Sequence, residues 1–172
     1  GNLISFLRGH SYRVTSANFS IDGNYALTTS WDLEPTLWDA HTGELVAVLR
    51  GHNSTVYGGA FTPEGKRIIT GDRDGVVKIW SLETRKEILS LQGHLNLLYT
   101  PSFTKDGSKM VFTSSKKTAE VYDSYSGQLE KEIRPFSGGL RLAQYSEDGS
   151  KLAVMTDDHK IKLWHTKKPG GK

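Results

Sequence analysis

Histidine, threonine and aspartate recur at one spacing in this 172-residue chain, as His10, Thr28 and Asp32 and again as His52, Thr70 and Asp74. Imidazole, hydroxyl and carboxylate are the groups of nucleophilic hydrolysis, in which a base activates the hydroxyl and an acid orients the base. Their recurrence points elsewhere. A catalytic centre is built once, whereas this trio occurs twice in register, and a triad is defined by geometry and role rather than by residue type. His159 and His165 lie on or beside one apolar run with Asp157 and Asp158 nearby, so period-2 geometry could set both imidazoles on one side of a strand. Metal binding needs a third ligand at a recognisable spacing, and none stands there; no metal or cofactor is expected. His41, within DAHTGE, reads as a turn residue. The chain has no Cys, which excludes a disulfide framework, a thiolate metal site and a Cys nucleophile. The glycines of FSGGL (136–140) and KPGGK (168–172) lack the spacing and the strand-to-helix setting of a phosphate-cradling loop.

Charge narrows the partners. Lys and Arg number 22 against 19 Asp and Glu, a net charge of +3, too small an excess to imply nucleic acid. It is unevenly spread: residues 9–50 carry 2 basic and 5 acidic side chains, whereas 135–172 carry 7 and 4. No apolar run approaches the roughly 20 residues of a membrane-spanning helix, and GNLISFLRGH is too short in apolar residues for a secretory signal. The expected setting is cytoplasmic or nuclear, away from membranes. With 36% hydrophobic and 10% aromatic residues, the chain can bury a core.

The elements that position these residues follow a period of 42. Gly-His recurs at 9–10, 51–52 and 93–94; an aromatic closes a β-branched run at Trp38, Trp80, Tyr122 and Trp164. Acid-Gly turn signals keep the same beat at Asp22-Gly23, Glu64-Gly65, Asp106-Gly107 and Asp148-Gly149. A fixed period of this size decides architecture by itself. Within each copy the apolar runs are short and bounded by Gly, Asp, Ser and Thr, which is strand spacing. The second copy predicts four strands, VYGGAFT (56–62), KRIITGD (66–72), VVKIW (76–80) and KEILSLQ (86–92). The fourth copy lacks a fourth strand, yet NLISFLR (2–8) matches ELVAVLR (44–50). The chain thus opens with a fourth strand and ends with a third, which predicts that residues 2–8 complete the last sheet, within one chain or between two, and remove an exposed edge. Copies are expected over 9–50, 51–92, 93–134 and 135–166, with a flexible tail at 167–172.

Gly-His, an S/T-x(3)-D element and a WD-like dipeptide, repeated in register over residues 2–166, resemble the WD40 repeat family. The resemblance implies an all-β propeller of four-stranded blades and a buried hydrogen-bond relay of His, Ser or Thr, Asp and Trp. By position, the first copy supplies His10, Thr28, Asp32 and Trp38, and the second His52, Thr70, Asp74 and Trp80. The third keeps His94 but has Phe112, Lys116 and Tyr122; the fourth has Phe136 and Val154 and keeps Asp158 and Trp164. These two blades must rely on apolar packing. Propellers of this family usually have seven or eight blades, so four read as a closed ring, or as half or a fragment of a larger one; two copies would make eight.

The loops that enter each first strand and follow each second strand meet around the mouth of a propeller's channel, where related families often dock peptides. Three positions per copy fall there: Arg13, Thr15 and Trp31; Thr55, Tyr57 and Arg73; Leu97, Tyr99 and Ser115; Gly139, Arg141 and Asp157. Aromatics and arginine dominate this set, as they dominate binding hot spots. The expected function is a non-catalytic scaffold for a protein or peptide partner, extended or acidic. The rival is a structural half-propeller that assembles as a homodimer by exchange of the N-terminal strand. An enzyme would require converging carboxylates or a metal cluster at the mouth, and apart from Asp157 these positions supply none.

Overall fold

Short apolar runs separated by turn residues fold into a succession of antiparallel sheets. The computed structural model describes residues 2–92, 101–113, 117–134, 139–146 and 148–166. Blade 1 is built from β1 (Val14–Phe19), β2 (Tyr25–Ser30), β3 (Thr36–Asp39) and β4 (Leu45–Val48). Blade 2 follows with β5 (Val56–Phe61), β6 (Arg67–Asp72), β7 (Val76–Ser81) and β8 (Glu87–Gln92). Blade 3 holds β9 (Ser102–Phe103), β10 (Lys109–Thr113), β11 (Ala119–Asp123) and β12 (Leu129–Ile133), and blade 4 holds β13 (Leu140–Tyr145), β14 (Lys151–Thr156) and β15 (Ile161–His165). Neighbours in sequence are neighbours in each sheet. This is a four-bladed β-propeller arrangement, with no helix among the described residues.

The Acid-Gly pairs make the first turn of each blade. Gly23, Gly65, Gly107 and Gly149 all take a left-handed φ between 67° and 75°, which glycine adopts without the steric cost a Cβ would bring. Beside three of these glycines, the aspartate locks the turn. Ser20, Thr104 and Ser146 donate hydroxyl hydrogen bonds of 2.6 Å to Asp22, Asp106 and Asp148.

Strand alternation gives each blade two faces. Leu27 pairs with Leu37 on one, and Ala26 with Trp38 on the other. The face bearing Trp38, Trp80, Tyr122 and Trp164 is the front; the other is the rear. The rear of blade 1, with Leu27 and Leu37, packs on Phe61, Ile68 and Trp80 at the front of blade 2. Ile69, Val77 and Ile79 likewise meet Met110, Phe112 and Tyr122, and Val111 and Val121 meet Tyr145, Leu152 and Trp164. Each such side chain removed from water contributes about 1.5 to 3 kcal/mol, so these three joints are the core. No cluster among the described residues joins blade 4 to blade 1.

The closing strand predicted at residues 2–8 is not formed within the single chain. Those residues take no strand conformation, and blade 4 is a three-stranded sheet ending at β15. The segment lies instead against blade 1, where a Cβ added at Gly43 would fall 2.4 Å from the Ser5 Cβ. The tail at 167–172 lies outside the described residues.

Candidate functional site

Two sets of residues were candidates: the buried His-Thr-Asp-Trp groups and the side chains at one end of the blades. In blade 1 the Trp38 Nε1–H donates to Thr28 Oγ1 at 2.7 Å. His10 bridges Thr28 Oγ1 at 2.6 Å and Asp32 Oδ2 at 2.7 Å. With the imidazole proton on Nδ1, every polar atom in this series has a partner: Trp donates to Thr, Thr to His, and His to Asp. The hydroxyl is consumed and is no nucleophile.

Blade 2 repeats the chemistry with a different carboxylate. Trp80 Nε1–H donates to Thr70 Oγ1 at 2.9 Å and His52 meets Thr70 Oγ1 at 2.7 Å, but His52 Nδ1 is 2.9 Å from Oδ2 of Asp72. Asp74, the residue expected by position, is exposed and outside the relay. Asp72 is buried, and its other oxygen accepts the backbone N–H groups of Asp74 (3.0 Å) and Val76 (2.9 Å). Blade 1 has Ser30 at the position of Asp72, so there the carboxylate must come from two residues further on.

Blades 3 and 4 hold apolar replacements. Phe112 and Tyr122 pack edge to face with centroids 6.1 Å apart, and the Tyr122 hydroxyl donates to the buried Glu120. Burial first, then the Glu120 contact, pushes the Tyr122 hydroxyl well above its ordinary range. Glu120 was not singled out in the sequence, where a lone acid in a strand looks like a solvent-facing residue. In blade 4 Val154 is fully buried; Asp158 accepts from Thr156 and Lys160. His94, Lys116 and Phe136 lie outside the described residues.

Acid should unfold the molecule through these turns and the first relay. Burial alone would push Asp32 up, but hydrogen bonds from His10 and from the Glu34 and Ser11 amides hold it below its ordinary 3.8. The Ser20 and Ser146 hydroxyls lower Asp22 and Asp148, and the Thr104 hydroxyl lowers Asp106 to about 2. A carboxylate with a depressed folded-state pKa stabilises the fold above its unfolded value, and that contribution disappears as pH falls through the folded value. Melting followed by circular dichroism is expected to hold level down to about pH 5 and to drop between about pH 4 and 2. Asp106→Asn should reduce the drop; an unchanged acid profile would contradict this assignment.

The second set sits where the first strands of blades 1, 2 and 4 bulge. Register shifts fall between Val14 and Ser16, Val56 and Gly58, and Leu140 and Leu142, so Thr15, Tyr57 and Arg141 are the bulged residues. A bulge leaves one residue outside the ladder and re-aims its side chain. One backbone bond recurs beside each bulge: Trp31 N–H to Arg13 O (3.0 Å), Arg73 N–H to Thr55 O (2.9 Å) and Asp157 N–H to Gly139 O (2.8 Å). The three positions per copy are thereby fixed together at one end of each of these blades. The Arg13 guanidinium lies 5.5 Å from the Trp31 ring centroid, and Trp31 remains 40% exposed. Arg73 is exposed and Tyr57 half-buried. Arg141 pairs with Asp157. Thr15 turns inward, donating to Val56 O at 2.7 Å and meeting Thr29 Oγ1 at 2.7 Å, so its hydroxyl ties blade 1 to blade 2. Leu97, Tyr99 and Ser115 lie outside the described residues.

One cavity of about 470 Å3 opens between blades 3 and 4, lined by Ile133, Tyr145, Leu152 and Trp164 among others. It lies beside β15, whose outer edge pairs with no strand among the described residues. Among the described residues no group of three His, Cys, Asp or Glu side chains is placed to hold a metal ion.

Four-stranded antiparallel units repeated every 42 residues and stacked rear to front define the class, a β-propeller repeat protein. The WD domain, G-beta repeat family model matches residues 1–39 and 43–81. A stretch of 37 residues is 51% identical to the small ribosomal subunit protein RACK1 of Candida albicans and 49% identical to that of Saccharomyces cerevisiae. Each match covers 22% of this chain and 12% of the relative, so the chain spans about an eighth of the length of these curated relatives. The family match spans 78 of the 172 residues, all within the part of the chain that forms blades 1 and 2.

Proposed function

We propose that this protein is a non-catalytic WD40-repeat interaction scaffold that takes an extended, acidic peptide at the channel mouth. The observation that carries the reading is the recurrent bulge with its backbone hydrogen bond, which presents Arg13 with Trp31, Arg73 with Tyr57 and Arg141 with Asp157 at the same end of their blades. Arginine offers forked donors to carboxylates, and an indole offers rigid contact area at small entropic cost. Thr55 belongs to the same proposed rim, and Leu97 and Tyr99 hold the corresponding places in the third copy of the sequence. The relay hydroxyls and imidazoles are satisfied by one another, so neither relay holds a free nucleophile-base pair. A cytoplasmic or nuclear setting belongs to the same proposal. Trp31→Ala and Arg73→Glu should each abolish partner pull-down while shifting the melting temperature little, because both side chains face solvent; retained binding in both variants rejects this surface.

A second reading, assembly as a homodimer, is favoured by the N-terminal segment. Leu3, Ile4, Phe6 and Leu7 are exposed in the single chain, while the outer edge of β15 pairs with no strand among the described residues and has a cavity beside it. In the 42-residue register Leu3 and Phe6 correspond to Leu45 and Val48 of β4. Residues 2–8 of a second copy, added to β15 in that register, would direct Leu3 and Phe6 into the cavity.

A further inference from the structure

We infer that Asp74 and Gly75 are a site of spontaneous isoaspartate formation, a covalent change of the main chain directly beside the second relay. The site adjoins Arg73 but does not depend on what the rim binds.

Asp-Gly pairs stand at 22–23, 74–75, 106–107 and 148–149. In such a pair the glycine nitrogen can attack the aspartate Cγ, so that a C–N bond forms, a Cγ–O bond breaks and water leaves a five-membered succinimide. Glycine has no Cβ to hinder the approach. Water then opens the ring at either carbonyl, restoring aspartate or leaving isoaspartate, in which the main chain runs through Cβ and Cγ and is one carbon longer. The water lost is regained, and nothing is oxidised.

Three of the pairs are locked against this reaction. Asp22 accepts from the Ser20 hydroxyl at 2.6 Å and the Asn24 amide at 3.1 Å, Asp106 from the Thr104 hydroxyl at 2.6 Å and the Ser108 amide at 3.1 Å, and Asp148 from the Ser146 hydroxyl at 2.6 Å and the Ser150 amide at 3.0 Å. Hydrogen bonds to an ionised acceptor are the strong ones, and ring closure must break them. The same hydroxyls lower all three acids, which favours the carboxylate, a poorer electrophile than the neutral acid. Asp74 has no such lock. Two residues before it, where the others have Ser or Thr, stands Asp72, a carboxylate that can only accept and is spent on His52 and two amides. The Asp74 side chain faces solvent and accepts no hydrogen bond among the described residues. The attacking nitrogen is also the most loosely held, since Gly75 N–H reaches Asp72 O at 3.2 Å, against 3.0 Å at Gly23 and 2.8 Å at Gly107 and Gly149.

The change would act on the relay. Asp72 Oδ1 accepts the amides of Asp74 and Val76 while Oδ2 meets His52 Nδ1, so an extra carbon between Asp74 and Gly75 falls inside this loop of bonds and pushes the Val76 amide away from the relay carboxylate.

The experiment holds the full chain for weeks at neutral pH in water enriched in heavy oxygen, then reads each Asp-Gly peptide by mass and by fragmentation that separates aspartate from isoaspartate. Heavy oxygen enters through ring opening. Label and isoaspartate should gather at Asp74 about tenfold faster than at Asp22, Asp106 or Asp148, because tenfold in rate is about 1.4 kcal/mol, no more than one hydrogen bond to a charged group. Asp74→Glu, which would have to close a larger ring, should stay unlabelled at that position and keep the melting temperature that the parent loses during the incubation. Ser146→Ala frees Asp148 and should raise its label several-fold. Equal label at all four pairs, no label at Asp74, or an Asp148 that stays silent in Ser146→Ala would overturn the inference; an equal fall in melting temperature in the parent and in Asp74→Glu would overturn its effect on the relay.

Discussion

Asp72→Ala is expected to destabilise the protein by about 3 kcal/mol, whereas Asp74→Ala should stay within about 0.5 kcal/mol. Asp72 is buried and accepts three hydrogen bonds, from His52 Nδ1 and from the amides of Asp74 and Val76. Alanine leaves these donors facing a gap, and each unsatisfied buried group costs about 1 to 3 kcal/mol. Relaxation of the tight turn and entry of water would return part of that. Asp74 contributes its backbone amide to the turn, and its side chain is exposed. Urea unfolding of both variants checks the contrast. If Asp74→Ala were the costly change, the relay would run through the residue that position alone suggests.

Arg67→Ala is expected to cost a similar amount, about 3 kcal/mol, with Arg67→Lys recovering less than half. This side chain clamps blade 2 to blade 3. Its Nε and Nη2 donate to Glu64 Oε1 at 3.0 and 2.7 Å, and Nη1 donates to the Ser124 carbonyl at 2.5 Å. The guanidinium also lies 4.1 Å from the centroid of the Tyr125 ring. Removing it strands a mostly buried carboxylate whose second oxygen, Oε2, already lacks a partner. An ammonium group cannot span Glu64 and Ser124 at once or stack on the ring, because it is a point charge on a flexible stem. Urea unfolding with intrinsic fluorescence would report the loss; a lysine variant as stable as the parent would show that charge alone is what the site uses.

The clamp was not anticipated because its parts are unremarkable in sequence. Glu64 was noted only as one of the Acid-Gly turns, and nothing ties Arg67 to Ser124, 57 residues away. Blade-to-blade partners of this kind depend on how two sheets face one another. The bulges at Thr15, Tyr57 and Arg141 escaped for a related reason. The sequence picks out their positions by offset from Gly-His, yet a bulge belongs to a pair of strands, and its register shift exists only once both are laid side by side.

The choice between Asp72 and Asp74 shows the boundary most sharply. Both carboxylates lie in the same five residues, GDRDG, and both suit an imidazole. In blade 2 the ladder continues to Gly71 opposite Val77, one pair beyond the last pair of β2 and β3, Thr28 opposite Thr36. The shorter turn brings Asp72 to His52 and leaves Asp74 in solvent. In blade 1 Ser30 occupies the equivalent place, its hydroxyl accepting the Asp32 amide at 3.2 Å, and Asp32 supplies the charge.

The linear order of residues determined the period, the strands, the two faces of each blade and the relay chemistry of the first copy. These are properties of spacing, and an unbroken 42-residue beat carries them without reference to distant parts of the chain. Tertiary structure decided which carboxylate meets His52 and which blades are clamped. Those outcomes depend on turn length and on how one wedge stacks on the next, which are properties of pairs of distant segments and not of spacing along the chain.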